Sequence, residues 1–221
     1  MNPIKSIIFD FDGVVVDSEP LYERAETELF LSYGIQIQTV DLMDTKGLSE
    51  KMYLDIIKKR YHINAPTDEL MKKGRRILKR IFSKELRYIH GFREFYQQIQ
   101  TNYKTALVTS SSRNLLEWIF KFTPIRNHFS TIVTAEDVTH SKPHPEPYLN
   151  ACRLLNVKPA ECIVIEDSIN GVNSAKNAGA MTIALKGKCT PARFENADYT
   201  VSNYSEIATL IESINQAGMS K

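Results

Sequence analysis

The amino-acid sequence predicts an α/β fold, a doubly wound parallel sheet interrupted by a helical insertion. Short β-rich runs alternate with helical segments over the second half of the chain, which is the pattern of βαβ units. A run of the same buried character, residues 4–9, stands near the start, and the long stretch between the two parts shows helical patterns only. The simplest arrangement is one sheet built from both parts, with the helical stretch as a second unit.

The predicted elements follow one another in chain order. After the first strand, Leu21, Ala25 and Leu29 recur at helical spacing, and amphipathic stretches around residues 52–57 and 70–82 complete the insertion. The later runs expected to be strands are residues 105–108, 131–133, 162–165 and 181–185. Helices are expected between them, near residues 115–122, 148–155 and 172–178. These elements predict an α/β core formed by residues 1–17 and 89–221, with the helical insertion at residues 18–88.

The composition is that of an ordinary globular chain. Its 221 residues, 43% of them hydrophobic and 24% charged, are enough for one domain with a smaller inserted one. A formal net charge of +2 is weaker than the bias of a dedicated nucleic-acid binder, and the densest basic run, residues 72–80, is predicted to be an exposed helix face.

The cysteines and the apolar segments bear on where the protein resides. Cys152, Cys162 and Cys189 lack metal-ligand spacing and are odd in number, which favours a reducing compartment. Neither a signal peptide nor a stretch long enough to span a bilayer is evident. We therefore expect a cytoplasmic protein without membrane or nucleic-acid partners, and no feature demands more than a monomer.

Chemically reactive side chains follow three of the predicted strands. They are Asp10 and Asp12 after the first strand, Thr109, Ser110, Ser111 and Ser112 after the second, and Glu166, Asp167 and Ser168 after the fourth. Ligands of open α/β sheets bind beyond the carboxyl ends of the strands. We therefore expect these side chains to form a single site.

Hydrolysis of a phosphate monoester needs such a set of groups. An attacking carboxylate and the dianionic ester repel each other by about 4 kcal/mol per pair of unit charges at about 4 Å and an effective dielectric constant of about 20. Mg²⁺ held by Asp10 and Asp167 would offset this repulsion, and Lys142, in a loop stiffened by prolines, would neutralise the remaining charge. Hydroxyl and amide groups at Ser110 and Ser111 would hold the phosphoryl oxygens.

Asp10 and Asp12, in the loop after the first predicted strand, would each carry out one part of the reaction. Asp10 would attack the phosphorus atom and form an aspartyl-phosphate. Asp12 would protonate the leaving oxygen and afterwards activate water. Gly13 would let the backbone turn away without a side chain that blocks the site.

Four stretches of the chain carry these residues in a fixed order. They read DFDGVVVDS over residues 10–18, TSSSR over 109–113, SKP over 141–143 and IEDS over 165–168. Their order and spacing resemble the four motifs of the haloacid dehalogenase superfamily, in its phosphoglycolate phosphatase and β-phosphoglucomutase branch. The resemblance covers essentially the whole chain. It implies a Rossmann-like core, a helical cap inserted after the first motif, and Mg²⁺-dependent phosphoryl transfer through an aspartyl-phosphate.

The resemblance also implies a role for each matching residue. Asp10 matches the nucleophile, and Asp12 matches the general acid and base, whose backbone carbonyl also binds metal in this family. Lys142 matches the lysine that balances the charge of the phosphate. Asp167 matches a metal ligand, and Glu166 beside it would bind the metal directly or through water.

The second motif allows two alignments. Alignment on Arg113 favours Ser110 as the hydroxyl that binds phosphate, whereas alignment on the strand end allows Thr109, and we prefer Ser110. The acid Asp12 and the acidic pair at residues 166–167 favour phosphoryl transfer over dehalogenation, because the dehalogenases of the family need neither that acid nor a metal.

Substrate choice is expected to depend on the insertion, where the chain departs from its relatives. Tyr22 stands where many close relatives have histidine, and Glu50 stands where β-phosphoglucomutase has arginine. Tyr22 either lines the pocket or packs within the insertion, and its place just after the first motif favours the pocket. Lys46 is equally well a substrate contact or a solvated loop lysine. Both departures favour a hydrolase of a small phosphorylated metabolite. A sugar phosphomutase of the β-phosphoglucomutase type and a non-catalytic phosphometabolite-binding protein remain the alternatives.

Overall fold

The structure is a computed structural model, and it describes residues 3–37, 50–187 and 194–219. These ranges contain six strands, eight α-helices and short 3-10 turns. The strands are Ser6–Phe9 (β1), Lys104–Val108 (β2), Thr131–Val133 (β3), Cys162–Glu166 (β4), Met181–Leu185 (β5) and Tyr199–Val201 (β6). The helices are Glu19–Leu31 (α1), Glu50–Arg60 (α2), Thr67–Glu85 (α3), Phe92–Ile99 (α4), Arg113–Phe120 (α5), Glu146–Leu155 (α6), Ile169–Ala178 (α7) and Tyr204–Met219 (α8).

All six strands belong to one sheet in the order β3-β2-β1-β4-β5-β6, and every neighbouring pair is parallel. β1 lies between β2 and β4, with Phe9 opposite Leu107 on one side and Ile165 on the other. β1 and β4 are buried along their whole length. The carboxyl ends of β1, β2 and β4 therefore lie side by side at the centre of the sheet.

The predicted α/β fold with its parallel sheet is confirmed, and five of the six strands lie where the apolar runs placed them. Helices α5, α6 and α7 lie between the strands as expected, although each begins two or three residues earlier than predicted. The strand missed by the sequence analysis is β6, which has three residues, two of them exposed. Such a short edge strand carries too little apolar sequence to be recognised.

The chain divides into two compact units, Met1–Asp17 with Arg87–Lys221 and Ser18–Leu86. The first unit contains the sheet. The boundary differs by two residues from the predicted insertion, because the Asp17 N–H donates to the Arg87 carbonyl oxygen (3.0 Å) and Val16 pairs with Tyr88. These backbone hydrogen bonds tie residues 87–88 to the α/β unit.

The second unit is helical and buries one face of each of its helices. Its buried apolar residues include Leu21 and Leu29 of α1 and Leu70 and Ile77 of α3. The basic run at residues 72–80 lies largely exposed on the other face of α3, as predicted, where Arg80 pairs with Glu28 of α1. Within the described ranges, every helix is too short or too polar to span a bilayer.

Aromatic rings form a large part of the core of the α/β unit. Phe92 is completely buried, and the centroid of its ring lies 5.7 Å from that of Phe9 and 5.7 Å from that of Tyr204. Tyr204 in turn donates its hydroxyl to the carbonyl oxygen of Val14 (2.8 Å). This cluster fixes α4 and α8 against β1 and the loop that follows it.

Replacing Phe92 with alanine should lower the free energy of unfolding by about 3–5 kcal/mol, because it removes a fully buried ring and leaves a cavity. The matched control is Phe122→Ala, since the Phe122 ring is 39% exposed and its loss should cost far less. Chemical denaturation of both variants and the wild type measures the two losses. Equal losses would contradict this account of the core.

Candidate active site

The first acidic residue lies directly past β1, between the two neighbouring strands. The Asp10 N–H donates to the carbonyl oxygen of Ile165 in β4 (3.0 Å), so the sheet ladder still holds its backbone. The residue is only 8% exposed. The carboxyl group of Asp10 is therefore fixed just past the carboxyl end of β1 and is largely removed from water.

Lys142 connects the first and fourth strands across the site. Its Nζ lies 2.6 Å from Asp10 Oδ1 and 2.6 Å from Glu166 Oε1, and it also donates to the Val108 carbonyl oxygen at the end of β2 (3.3 Å). The side chain is only 7% exposed. One ammonium group thus contacts the ends of three adjacent strands.

Glu166 is completely buried and accepts five hydrogen bonds. Oε1 accepts from Lys142 Nζ and from the Tyr148 hydroxyl (2.7 Å). Oε2 accepts from the N–H groups of Asp167 (3.0 Å) and Ser168 (3.1 Å) and from Ser168 Oγ (3.0 Å). A Cβ on Gly171 would lie 1.8 Å from Oε1, so only glycine fits there. These contacts fix the position of the carboxylate from every side.

The sequence analysis did not place Tyr148 in the site, and it placed Ser168 there only as the last residue of the fourth motif, without a role. Tyr148 was assigned only to a predicted helix, and the available signal was a tyrosine six residues after Lys142 on the buried face of that helix. Its ring also lies over the Lys142 ammonium, with Nζ 5.1 Å from the centroid. Ser168 caps α7 by accepting from the Gly171 N–H and donates to Glu166 with its hydroxyl.

Three of the four hydroxyls of the second predicted motif lie in different environments. Ser111 Oγ donates to Asp12 Oδ2 (3.0 Å), which joins the loops after β1 and β2. Thr109 directly follows β2, is 4% exposed, and accepts the Ser111 N–H with its Oγ1 (2.9 Å). Ser110, the preferred phosphate contact of the sequence analysis, is exposed. The structure thus brings Asp12, Thr109 and Ser111 together.

Asp167 lies against the backbone of the first loop. A Cβ on Gly13 would lie 1.9 Å from Asp167 Oδ2, and Gly13 has a φ of +74°, a conformation that favours glycine. Carboxylate oxygens of Asp10, Glu166 and Asp167 all lie within 4.8 Å of one another. Clustered carboxylate oxygens beside a close-packed backbone fit a hard divalent cation such as Mg²⁺.

Burial and neighbouring charges shift the pKa values of Asp10, Lys142 and Glu166. Burial is the largest cause that raises the pKa of Asp10, to about 7, with Lys142 lowering it and Glu166 and Asp12 raising it further. Burial lowers the pKa of Lys142, but Asp10 and Glu166 raise it above its ordinary value. Burial raises the pKa of Glu166, yet Lys142 and the hydrogen bonds leave it below its ordinary value. Lys142 and Glu166 are therefore a charged pair, and a further cation would favour the ionised form of Asp10.

The predicted contacts from the insertion belong to the helical unit. Tyr22 is partly buried, and its ring forms a T-shaped pair with that of Phe82 of α3, with centroids 5.2 Å apart. Lys46 lies outside the described residues. Glu50 is the first residue of α2.

Comparison with known proteins identifies the family of the chain. A model of the haloacid dehalogenase-like hydrolases matches residues 7–185, which span every group described above. The chain belongs to this family. The prediction made from four ordered motifs is confirmed, and the chain is an enzyme of the haloacid dehalogenase-like hydrolase family.

Its relatives in the family include two named phosphatases and a solved structure. Hexitol phosphatase B of Escherichia coli is 32% identical over 215 residues, 92% of this chain and 94% of that protein. The phosphorylated carbohydrates phosphatase of Thermotoga maritima is 35% identical over 179 residues, 80% of this chain and 82% of that protein. A Thermotoga maritima structure provisionally assigned as a β-phosphoglucomutase has a TM-score of 0.84 and 28% identity, and covers 96% of this chain and 100% of its own.

Tyr148→Phe should lower the free energy of unfolding more than Tyr204→Phe. Both changes remove one hydroxyl from a completely buried ring, but Tyr148 donates to a charged carboxylate and Tyr204 to a backbone carbonyl. The expected costs are about 1.5–3 kcal/mol and about 0.5–1.5 kcal/mol respectively. Denaturant titration of the two variants gives the comparison, and an equal or reversed order would contradict the charged state of Glu166.

Proposed function

We propose that the protein is a Mg²⁺-dependent phosphatase that hydrolyses a small phosphorylated metabolite of the sugar-phosphate or phosphoglycolate type. The observation that carries this proposal is the buried contact of Lys142 with both Asp10 and Glu166 at the carboxyl edge of the sheet. Two relatives that match most of the chain are named hexitol phosphatase B and phosphorylated carbohydrates phosphatase. These names support the proposed substrate class.

In the first step, a carboxylate oxygen of Asp10 attacks the phosphorus atom while the bond to the leaving oxygen breaks. Asp12 gives its proton to that oxygen, and the alcohol departs from the aspartyl-phosphate. In the second step, Asp12 takes a proton from water, and the resulting hydroxide displaces the phosphoryl group from Asp10 as inorganic phosphate. The hydrogen bond from Ser111 Oγ to Asp12 supports this role, because it holds the acid in place.

Asp10, Asp167 and the backbone carbonyl of Asp12 would hold the cation. When bound, Mg²⁺ would supply positive charge that offsets the repulsion between the carboxylates and the substrate phosphate. The five hydrogen bonds of Glu166 favour a positioning role for that residue, since direct coordination would have to displace some of them. Lys142 would hold Asp10 in position and neutralise part of the phosphoryl charge.

For the hydroxyl that binds phosphate, we now favour Thr109 over Ser110. Thr109 is buried at the end of β2, beside the strand that carries Asp10, whereas Ser110 is exposed. A buried hydroxyl supports transition-state charge better than one that already contacts water. Tyr22 and Lys46 remain the proposed substrate contacts of the helical unit, which we propose to be the cap.

Asp10→Asn should reduce phosphate release by about a thousandfold or more, since the amide cannot act as the nucleophile. The assay uses a panel of hexose, hexitol and glycolate phosphates, with Mg²⁺ and with EDTA. Asp198→Asn is the matched control, because Asp198 pairs with Lys176 away from the site and its loss should leave the activity close to wild type. Substantial turnover by Asp10→Asn would refute the assignment.

The same panel separates the two alternatives. Conversion of β-glucose 1-phosphate to glucose 6-phosphate with a bisphosphate activator, in place of free phosphate, would establish a mutase. Binding of Mg²⁺ and a phosphate analogue without turnover of any substrate would establish a binding protein. EDTA should abolish activity in the proposed phosphatase, and added Mg²⁺ should restore it.

Thr109→Val should lower kcat/KM by about 10²-fold, because it removes a hydroxyl that would contact the phosphoryl group while keeping the shape of the side chain. Ser110→Ala is the matched control and should change kcat/KM by less than about threefold, a free-energy change below 1 kcal/mol. Steady-state kinetics on one good substrate decides between them. A large loss of kcat/KM in Ser110→Ala alone would instead support the alignment on Arg113, with Ser110 as the hydroxyl that binds phosphate.

A further inference from the structure

Two histidines and a glutamate converge on the segment that leads into α6. His140 Nδ1 lies 2.9 Å from Glu146 Oε2, and His144 Nδ1 lies 3.9 Å from the same oxygen. The two imidazole centroids are 4.5 Å apart. One ligand atom from each of the three residues lies within 4.8 Å of the other two. This cluster is separate from the site formed by Asp10 and Asp167.

The backbone around the cluster is held by several hydrogen bonds. The Glu146 carboxylate accepts the N–H groups of Thr139 (2.7 Å) and His140 (3.0 Å). Ser174 Oγ of α7 donates to the His144 carbonyl oxygen (2.6 Å). Proline precedes and follows His144, and the rings fix φ at both positions. The segment is therefore ordered before any ligand binds, which lowers the entropic cost of binding.

The imidazoles remain accessible although the backbone is fixed. The side chains of His140 and His144 are 62% and 49% exposed, and that of Glu146 is 24% exposed. Backbone donors and the imidazole of His140 hold the pKa of Glu146 below its ordinary value. Within the cluster His144 Nδ1 accepts the Glu146 N–H (3.2 Å), and the exposed imidazoles and the Glu146 carboxylate together supply two nitrogen ligands and one oxygen ligand.

We propose that His140, His144 and Glu146 form a binding site for a divalent transition-metal ion of the Zn²⁺ type. Two imidazoles and one carboxylate are a common Zn²⁺ ligand set, with water in the remaining position. Ligand atoms at Zn²⁺ bond lengths lie about 3.4 Å apart in tetrahedral geometry. The separations of His140 Nδ1 and His144 Nδ1 from Glu146 Oε2, 2.9 Å and 3.9 Å, lie on either side of that value.

The ligand atoms of this cluster favour a different ion from the Mg²⁺ proposed at Asp10 and Asp167. Mg²⁺ takes oxygen ligands and retains water, whereas imidazole nitrogen favours Zn²⁺ and similar ions. The site also begins next to the loop of Lys142, since Pro143 alone separates Lys142 from His144. An ion that binds the folded state and not the unfolded state should raise the free energy of unfolding.

Isothermal titration of the full chain with ZnCl₂ tests the proposal, in excess Mg²⁺ and above the usual imidazole pKa of about 6.5. The wild type and His90→Ala, which removes another exposed imidazole of the same unit, should bind a single Zn²⁺ ion with equal affinity. His140→Ala and His144→Ala should bind at least about tenfold more weakly, because even the loss of a residue behind a ligand costs about that much.

Two measurements keep the result interpretable. The unfolding temperature of each metal-free variant shows that it is folded, and Co²⁺ absorption in the visible range reports directly on nitrogen ligation. Unchanged Zn²⁺ affinity in both histidine variants would overturn the proposal, as would Zn²⁺ binding that is lost only in Asp10→Asn. Loss of the Co²⁺ spectrum in His140→Ala and His144→Ala, with retention in His90→Ala, would support it.

Discussion

The structure of the site depends on one buried ammonium group placed between two buried carboxylates. Lys142 lies 2.6 Å from both Asp10 and Glu166, and each of the three side chains is almost or completely removed from water. Burial of an isolated charge costs several kcal/mol, so each of these groups is tolerable only with the others in place. The lysine loop, β1 and β4 are therefore fixed relative to one another.

Donors around Glu166 extend this constraint into the helices. Tyr148 of α6 contributes a hydroxyl, and Ser168 at the start of α7 contributes a hydroxyl and an N–H group. Because the carboxylate is held so completely, it keeps its charge and Lys142 keeps its position. Asp10 is left as the member of the set whose charge is least compensated, which supports its proposed role as a nucleophile beside a cation.

Much of this arrangement could be predicted from the sequence, because buried parallel strands are continuous apolar runs and reactive groups follow them directly. What the sequence could not predict depends on pairing across the fold. The short strand β6, the contact of Tyr148 with Glu166, and the hydrogen bond that assigns Arg87 to the α/β unit all join segments distant in the chain. The relative burial of Thr109 and Ser110 is likewise set by their neighbours.

The contact between Lys142 and Asp10 joins residues 132 positions apart, and the contact with Glu166 adds β4 to the same group. During synthesis on the ribosome, the amino-terminal strand emerges long before either partner. A nascent chain that stops short of β4 lacks Glu166 and therefore has no complete charge network. The proposed activity therefore requires a chain that has been translated at least through β4.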